Sequence, residues 1–165
     1  MIVTSLVAAL LAVSPASAAA DVADLIECRS DLPSFQAFAE AAISGSPPDG
    51  WSRIEGPNSL LIEFRLARPI TVFGHATSHL AFASSGLLAL IEGVEPTAIA
   101  TALGVSNSVS HPAKFLGERV ISRKEEDKDL SSRFTTIVAL NVSTLDTHPD
   151  VVLAGCSYRV DVEAL

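Results

Sequence analysis

Positive charge is scarce in this chain of 165 residues: 11 Lys and Arg stand against 19 Asp and Glu, a formal net charge of −8. An acidic surface repels phosphate backbones and anionic headgroups, which argues against nucleic acid and anionic membranes as partners and favours cationic ones. Aromatics make up only 5%, with one Trp and one Tyr, which argues against a carbohydrate-stacking or peptide-groove surface. The nine glycines are scattered, and none forms the Gly-rich strand-to-helix turn that cradles phosphates or dinucleotides. No Gly-x-Ser-x-Gly elbow marks a serine nucleophile, and no Cys-x-x-Cys marks a redox pair. No apolar run reaches the roughly 20 residues that a membrane-spanning helix needs. Nothing in the chain implies a cofactor, and no residue is assigned a catalytic role.

One further absence is informative. Residues 1–20 contain no Asp, Glu, Lys or Arg. They have the form of a cleaved signal peptide: an apolar run from Ile2 to Val13, then Ser14-Pro15-Ala16-Ser17-Ala18. Ala16-x-Ala18 and Ala18-x-Ala20 both satisfy the small-residue rule, placing cleavage after Ala18 or Ala20. The basic n-region of such a leader is lacking. Export to the periplasm or outside the cell is expected, with no membrane attachment after cleavage.

An oxidising destination gives the only two cysteines, Cys28 and Cys156, a reason to pair. The bridge would close most of a single domain over residues 21–165, long enough to build a core without metals.

Local patterns divide that domain. Asp31 is a good N-cap, with Pro33 tolerated in the first turn, and Leu32, Phe35, Phe38, Ala39, Ala42 and Ile43 recur at helical spacing. Period-two segments follow: Leu60, Ile62, Phe64 and Leu66 alternate with Leu61, Glu63 and Arg65, predicting a strand with one buried face. Ile70-Thr71-Val72-Phe73 and Leu80-Ala81-Phe82-Ala83 continue the strand chemistry. Leu87 to Ile91 is apolar on both faces and belongs centrally in a sheet. A second, short helix spans Pro96 to Leu103, closed by Gly104. Val105 to Ala113 is expected as loop, and the charged run Arg123 to Asp129 as a solvated hairpin tip. In the last strand Val152, Ala154, Cys156, Tyr158, Val160 and Val162 share one face. The expected fold is α+β: an antiparallel sheet of about six or seven strands with the N-terminal helix packed on one face. The alternative is a β-barrel or sandwich with an appended helix.

Four histidines are the main chemical candidates. His75 and His79 have the i,i+4 spacing of a helical metal pair, but in a strand they would stand about 13 Å apart, too far for one ion. His111 and His148 each precede proline, an ordinary loop dipeptide. Trp51, beside the Pro47-Pro48-Asp49-Gly50 turn, is a candidate interface anchor or a cover for the core edge. The reading that follows is an exported, non-enzymatic binding module for an unknown protein or small molecule. Its recognition loops would be Gly45 to Gly50, Val105 to Ala113 and Arg123 to Asp129. The alternatives are an exported metal-assisted or other hydrolase using His75, His79 and a carboxylate such as Glu92 or Glu63, and a carrier of a small apolar ligand between sheet and helix.

Overall fold

Alternating side chains, long enough to bury both faces of a sheet, set the architecture. The computed structural model describes residues 22–109, 111, 114–129 and 132–164. The expected leader, residues 1–20, lies outside them. After a helical turn at residues 22–26 come helix α1 (Leu32–Ser44), strands β1 (Trp51–Ile54), β2 (Leu61–Val72), β3 (His75–Ala83) and β4 (Gly86–Glu92), helix α2 (Pro96–Leu103), and strands β5 (Leu116–Asp129), β6 (Ser132–Leu145) and β7 (His148–Ala164). The strands form one antiparallel sheet in the order β1-β2-β3-β4-β7-β6-β5. Among the described residues β1 to β4 and β5 to β7 pair as successive hairpins, and the non-local pairing of β4 with β7 joins the two halves.

The α+β expectation is corrected. Among the described residues strand far outweighs helix, which occurs in three short pieces, so the fold is mainly antiparallel sheet with helices as local covers. The balance shifts toward sheet because the charged run Arg123 to Asp129 is strand and not a loop tip. These residues continue β5, paired with β6 as far as Asp129 against Ser132 with one register shift between Asp127 and Asp129. Edge strands rich in charge are the usual protection against unwanted pairing.

Local signals for the helices are met. The Asp31 side chain accepts from Ser34 N at 2.9 Å, and hydrogen bonding to the Ser34 side chain and then to its backbone lowers the carboxyl's pKa. Gly104 closes α2 at φ 65°, a conformation that costs glycine little. β4 is fully central, with Leu87, Ala89 and Ile91 in the large core and Leu88 and Leu90 in a smaller cluster on the opposite face.

The large core is organised by β7. Tyr158 stacks on Phe35 of α1 with ring centroids 4.8 Å apart, and its hydroxyl donates to Leu25 O at 2.8 Å. Burial of this phenol pushes its pKa far up. Two residues away, Cys156 is bonded to Cys28 with Cα atoms 5.2 Å apart. Glu27 accepts from Phe73 N at 2.6 Å and pairs with Arg29, tying the same segment to the β2–β3 turn. The face pattern of β7 holds as far as Tyr158 and then fails. Val160 and Val162 are 44% and 60% exposed because the strand runs past the helical cover.

Close approach of β4 and β7 depends on Gly155. A Cβ there would meet Leu87 O and lie 2.7 Å from Leu88 Cα, both backbone atoms that cannot step aside. Gly155→Ala is therefore expected to cost about 1–3 kcal/mol by overpacking, read as a lower urea midpoint. The Cys28→Ser/Cys156→Ser double variant removes a crosslink of sequence separation 128. It should lose about 2–5 kcal/mol in the same assay, and an unchanged midpoint would deny the bridge its stabilising role.

Candidate functional site

Glu63 is the least expected buried residue. The alternation of β2 places it with Leu61 and Arg65 on the face assigned to solvent, yet it is 1% exposed. The cause lies in the chain after β1. Residues 55–60 fold back over this face, and Gly56 presses against the Glu63 carboxylate so closely that a Cβ would overlap it. Leu61, Ala83, Leu145 and Val151 close in around the small cluster of Ala81, Leu88, Leu90 and Leu153 on the same side of the sheet.

A buried carboxylate demands partners. Oε2 receives His79 Nε2 at 2.8 Å from the neighbouring strand. Oε1 faces His148 Nε2 at 3.3 Å, but the contact is too oblique for a hydrogen bond, so both atoms lack an aligned partner. The other nitrogen of that ring, Nδ1, lies 3.0 Å from Thr147 Oγ1. Thr147 Oγ1 also accepts from Asn58 Nδ2 at 3.3 Å, and Asn58 Oδ1 is held by Leu60 N at 3.0 Å. Four stretches of chain thus converge: the 55–60 crossing, β2, β3 and the β6–β7 turn. Burial disfavours the imidazolium of His79 and lowers its pKa, opposed by the hydrogen bond to Glu63.

His148 reaches this place through a break in register. Thr144 pairs with Val152, but the next residue, Leu145, pairs with His148, so residues 149–151 drop out of the β6 ladder. Pro149 has no N–H to offer a ladder, and Asp150 adopts φ 60°. Proline in a strand belongs at such irregularities.

Beyond His148 opens a cleft of about 680 Å³ at the end of the sheet. Its walls are the β4–α2 connection with Glu95, the approach to β5 with Asn107, His111 and Lys114, and the β6–β7 turn with Asp146 and Asp150. Lys114 Nζ donates to Asp146 at 2.8 Å and holds that carboxyl below its usual pKa.

The structure brings His79 and Glu63 together and leaves His75 elsewhere. His75 pairs with Val72 beside the β2–β3 turn, whereas His79 pairs with Arg65 four residues on, an extended span of about 13 Å. Glu92 ends β4, exposed and paired with Val151. His79 and His148 have ring centroids 6.4 Å apart, on opposite oxygens of the carboxylate. Two imidazoles on one tetrahedral zinc must bring their nitrogens to about 3.4 Å, given bonds near 2.1 Å. Among the described residues no three His, Cys, Asp or Glu side chains converge that closely. Trp51 packs edge-on to Phe38 and tilted on Phe64, both at 5.6 Å. Of the three expected recognition loops, Val105 to Ala113 reaches the cleft among the described residues, through Asn107 and His111; its residues 110, 112 and 113 lie outside those described.

Sequence reasoning misses Thr147 and Asn58 and sets His148 aside as part of an ordinary loop dipeptide. The readable signal was Pro149 at the start of an otherwise strand-like run, which marks a bulge able to redirect its neighbour. No family model, curated protein or solved structure matches this chain.

Gly56→Ala should drive the Glu63 carboxylate away from both imidazoles. The expected loss is about 1–3 kcal/mol, from crowding and from leaving a buried acid less well partnered. Side-chain ¹⁵N signals of His79 and His148 should move in the same variant, and unchanged signals with unchanged stability would mean that Gly56 does not hold the acid in place.

Proposed function

We propose that the protein is exported and binds a small cationic ligand in the cleft at the end of the sheet. Export is supported by the Cys28–Cys156 bridge, which belongs to oxidising compartments, and by the leader-like residues 1–20. No helix among the described residues is long and apolar enough to cross a membrane.

The observation that carries the binding reading is the cleft. Its volume of about 680 Å³ falls within the 300–1,000 Å³ of small-molecule sites. Three connections on a rigid sheet supply its walls, which is where recognition surfaces are commonly built. Its charge selects the ligand's sign. Lys114 is engaged by Asp146, and Glu95 and Asp150 add two further carboxylates on a chain that is already acidic. The carrier alternative has less support. It needs room between α1 and the sheet, where Phe35, Phe38, Phe82 and Tyr158 pack ring against ring.

Thermal unfolding of the mature chain with spermidine, citrate or glucose as cationic, anionic and neutral probes tests this reading. A cationic probe at a hundred times its Kd adds about 2.7 kcal/mol of stability, a shift of several degrees. The gain should disappear in Glu95→Gln/Asp150→Asn. Stabilisation by citrate, or by no probe, would remove the reading.

A further inference from the structure

The Glu63 cluster contains more chemistry than binding requires. We infer that Thr147, His148 and Glu63 form a hydroxyl–imidazole–carboxylate relay able to hydrolyse small carboxylic esters, with Asn58 as the donor to the developing oxyanion. This activity does not depend on what the cleft binds, and it departs from the expectation of a non-enzymatic protein.

The argument starts from the proton on His148. Nε2 faces Glu63 Oε1 in a site closed to water, where an N–H directed at the ionised carboxylate begins to satisfy both atoms. With Nε2 protonated, Nδ1 carries the free lone pair and lies 3.0 Å from Thr147 Oγ1. The hydroxyl can then donate to it. This is the connectivity of a nucleophile, its base and the acid that orients the base. The long contact on the acid side is no objection, since such bonds tighten when substrate binds. Thr147 is exposed and His148 buried, so the nucleophile meets solvent while its base is screened from it.

Asn58 completes the set. Leu60 N holds Oδ1, so the amide nitrogen is turned to Thr147 at 3.3 Å. When Oγ1 bonds to a carbonyl carbon, the oxygen of that carbonyl becomes a near neighbour of Oγ1 and comes within reach of the same amide. Side-chain amides serve as oxyanion donors in this way. His79 occupies the second oxygen of Glu63 at 2.8 Å and acts as a positioning residue, keeping the carboxylate turned toward His148.

The steps balance with ester and water alone. Thr147 Oγ1 attacks the ester carbon as its proton passes to His148 Nδ1. The intermediate collapses, the carbon–oxygen bond to the alcohol breaks, and His148 returns the proton to the departing alcohol. Water then attacks the acyl-threonine with its proton taken by His148, the acyl–oxygen bond breaks, and Thr147 regains its hydrogen. An exposed hydroxyl on a two-residue turn offers no deep acyl pocket, which restricts the substrate to short acyl groups.

The test uses the mature chain with p-nitrophenyl acetate and, separately, a fluorophosphonate probe. The expected results are an initial burst of nitrophenol, one acetyl or phosphonyl group on the peptide carrying Thr147, and loss of both in Thr147→Ala. Because Thr147 is exposed on a turn, that variant should fold normally, and retention of label by the folded variant would overturn the assignment. Thr147→Ser should keep the label. Glu63→Gln should slow acylation by about 10²-fold or more with KM little changed, because the acid that orients the imidazole is gone. No acylation of the wild-type chain above a blank, or labelling only at another residue, would sink the proposal.

Discussion

The pairing of β4 with β7 is the contact on which the rest of this molecule depends. Hairpins assemble β1 to β4 on one side and β5 to β7 on the other, and among the described residues this is the strand ladder that joins them. It closes between strands separated by the whole of α2, β5 and β6, so its loop-closure entropy must be offset by burial on both faces. Leu87, Ala89, Ile91, Ala154 and Cys156 bury on one side, and Leu88, Leu90 and Leu153 on the other. Gly155 permits the approach, and the disulfide and the Tyr158 hydroxyl fasten the N-terminal segment across the seam.

A sheet buried on both sides at its centre creates the polar problem that defines the candidate site. Glu63 lies where the second face is being closed by the 55–60 crossing, and a carboxylate there cannot be hydrated. An apolar residue would fill the place with no need for partners, and replacing buried ionic groups by packed apolar ones is often neutral or stabilising. The presence of an acid with one imidazole on each side therefore calls for an account other than stability. A relay to an exposed hydroxyl provides one, and it explains why the misaligned pair occurs on the side facing Thr147.

Legibility from sequence followed the range of the interactions. Helix limits were readable because their causes are local: Asp31 caps α1 and Gly104 ends α2. The central position of Leu87 to Ile91 was readable because a run apolar on both faces has only one stable place in a sheet. The cysteine pair followed from compartment and count. The charged run in β5 was misread because pairing with β6 overrides composition, and Val160 and Val162 because alternation cannot show where the helical cover stops. In the site, Glu63 and His79 were named as candidates, yet their contact arises from β2–β3 pairing, while His75 shares only sequence proximity. Glu63 looked solvated because nothing local announces that residues 55–60 cross back over it.

His148 shows how much a single irregularity can decide. Had β6 and β7 continued in the register set by Thr144 and Val152, the chain would reverse at His148 and hold it at the tip of the hairpin, in water. The register jump draws residues 149–151 out of the β6 ladder, shortens the turn to Asp146 and Thr147, and sets His148 against the sheet, where Glu63 is waiting. Pro149 favours this because it cannot serve the ladder it leaves, and Asp150 absorbs the change in direction at positive φ, a conformation that Asp tolerates better than most residues. Strain of this kind costs about 1–3 kcal/mol and persists only where the surroundings over-determine it. Here the surroundings are the β4–β7 ladder on one side and the Glu63 cluster on the other, so the same strand that unites the sheet also delivers the imidazole.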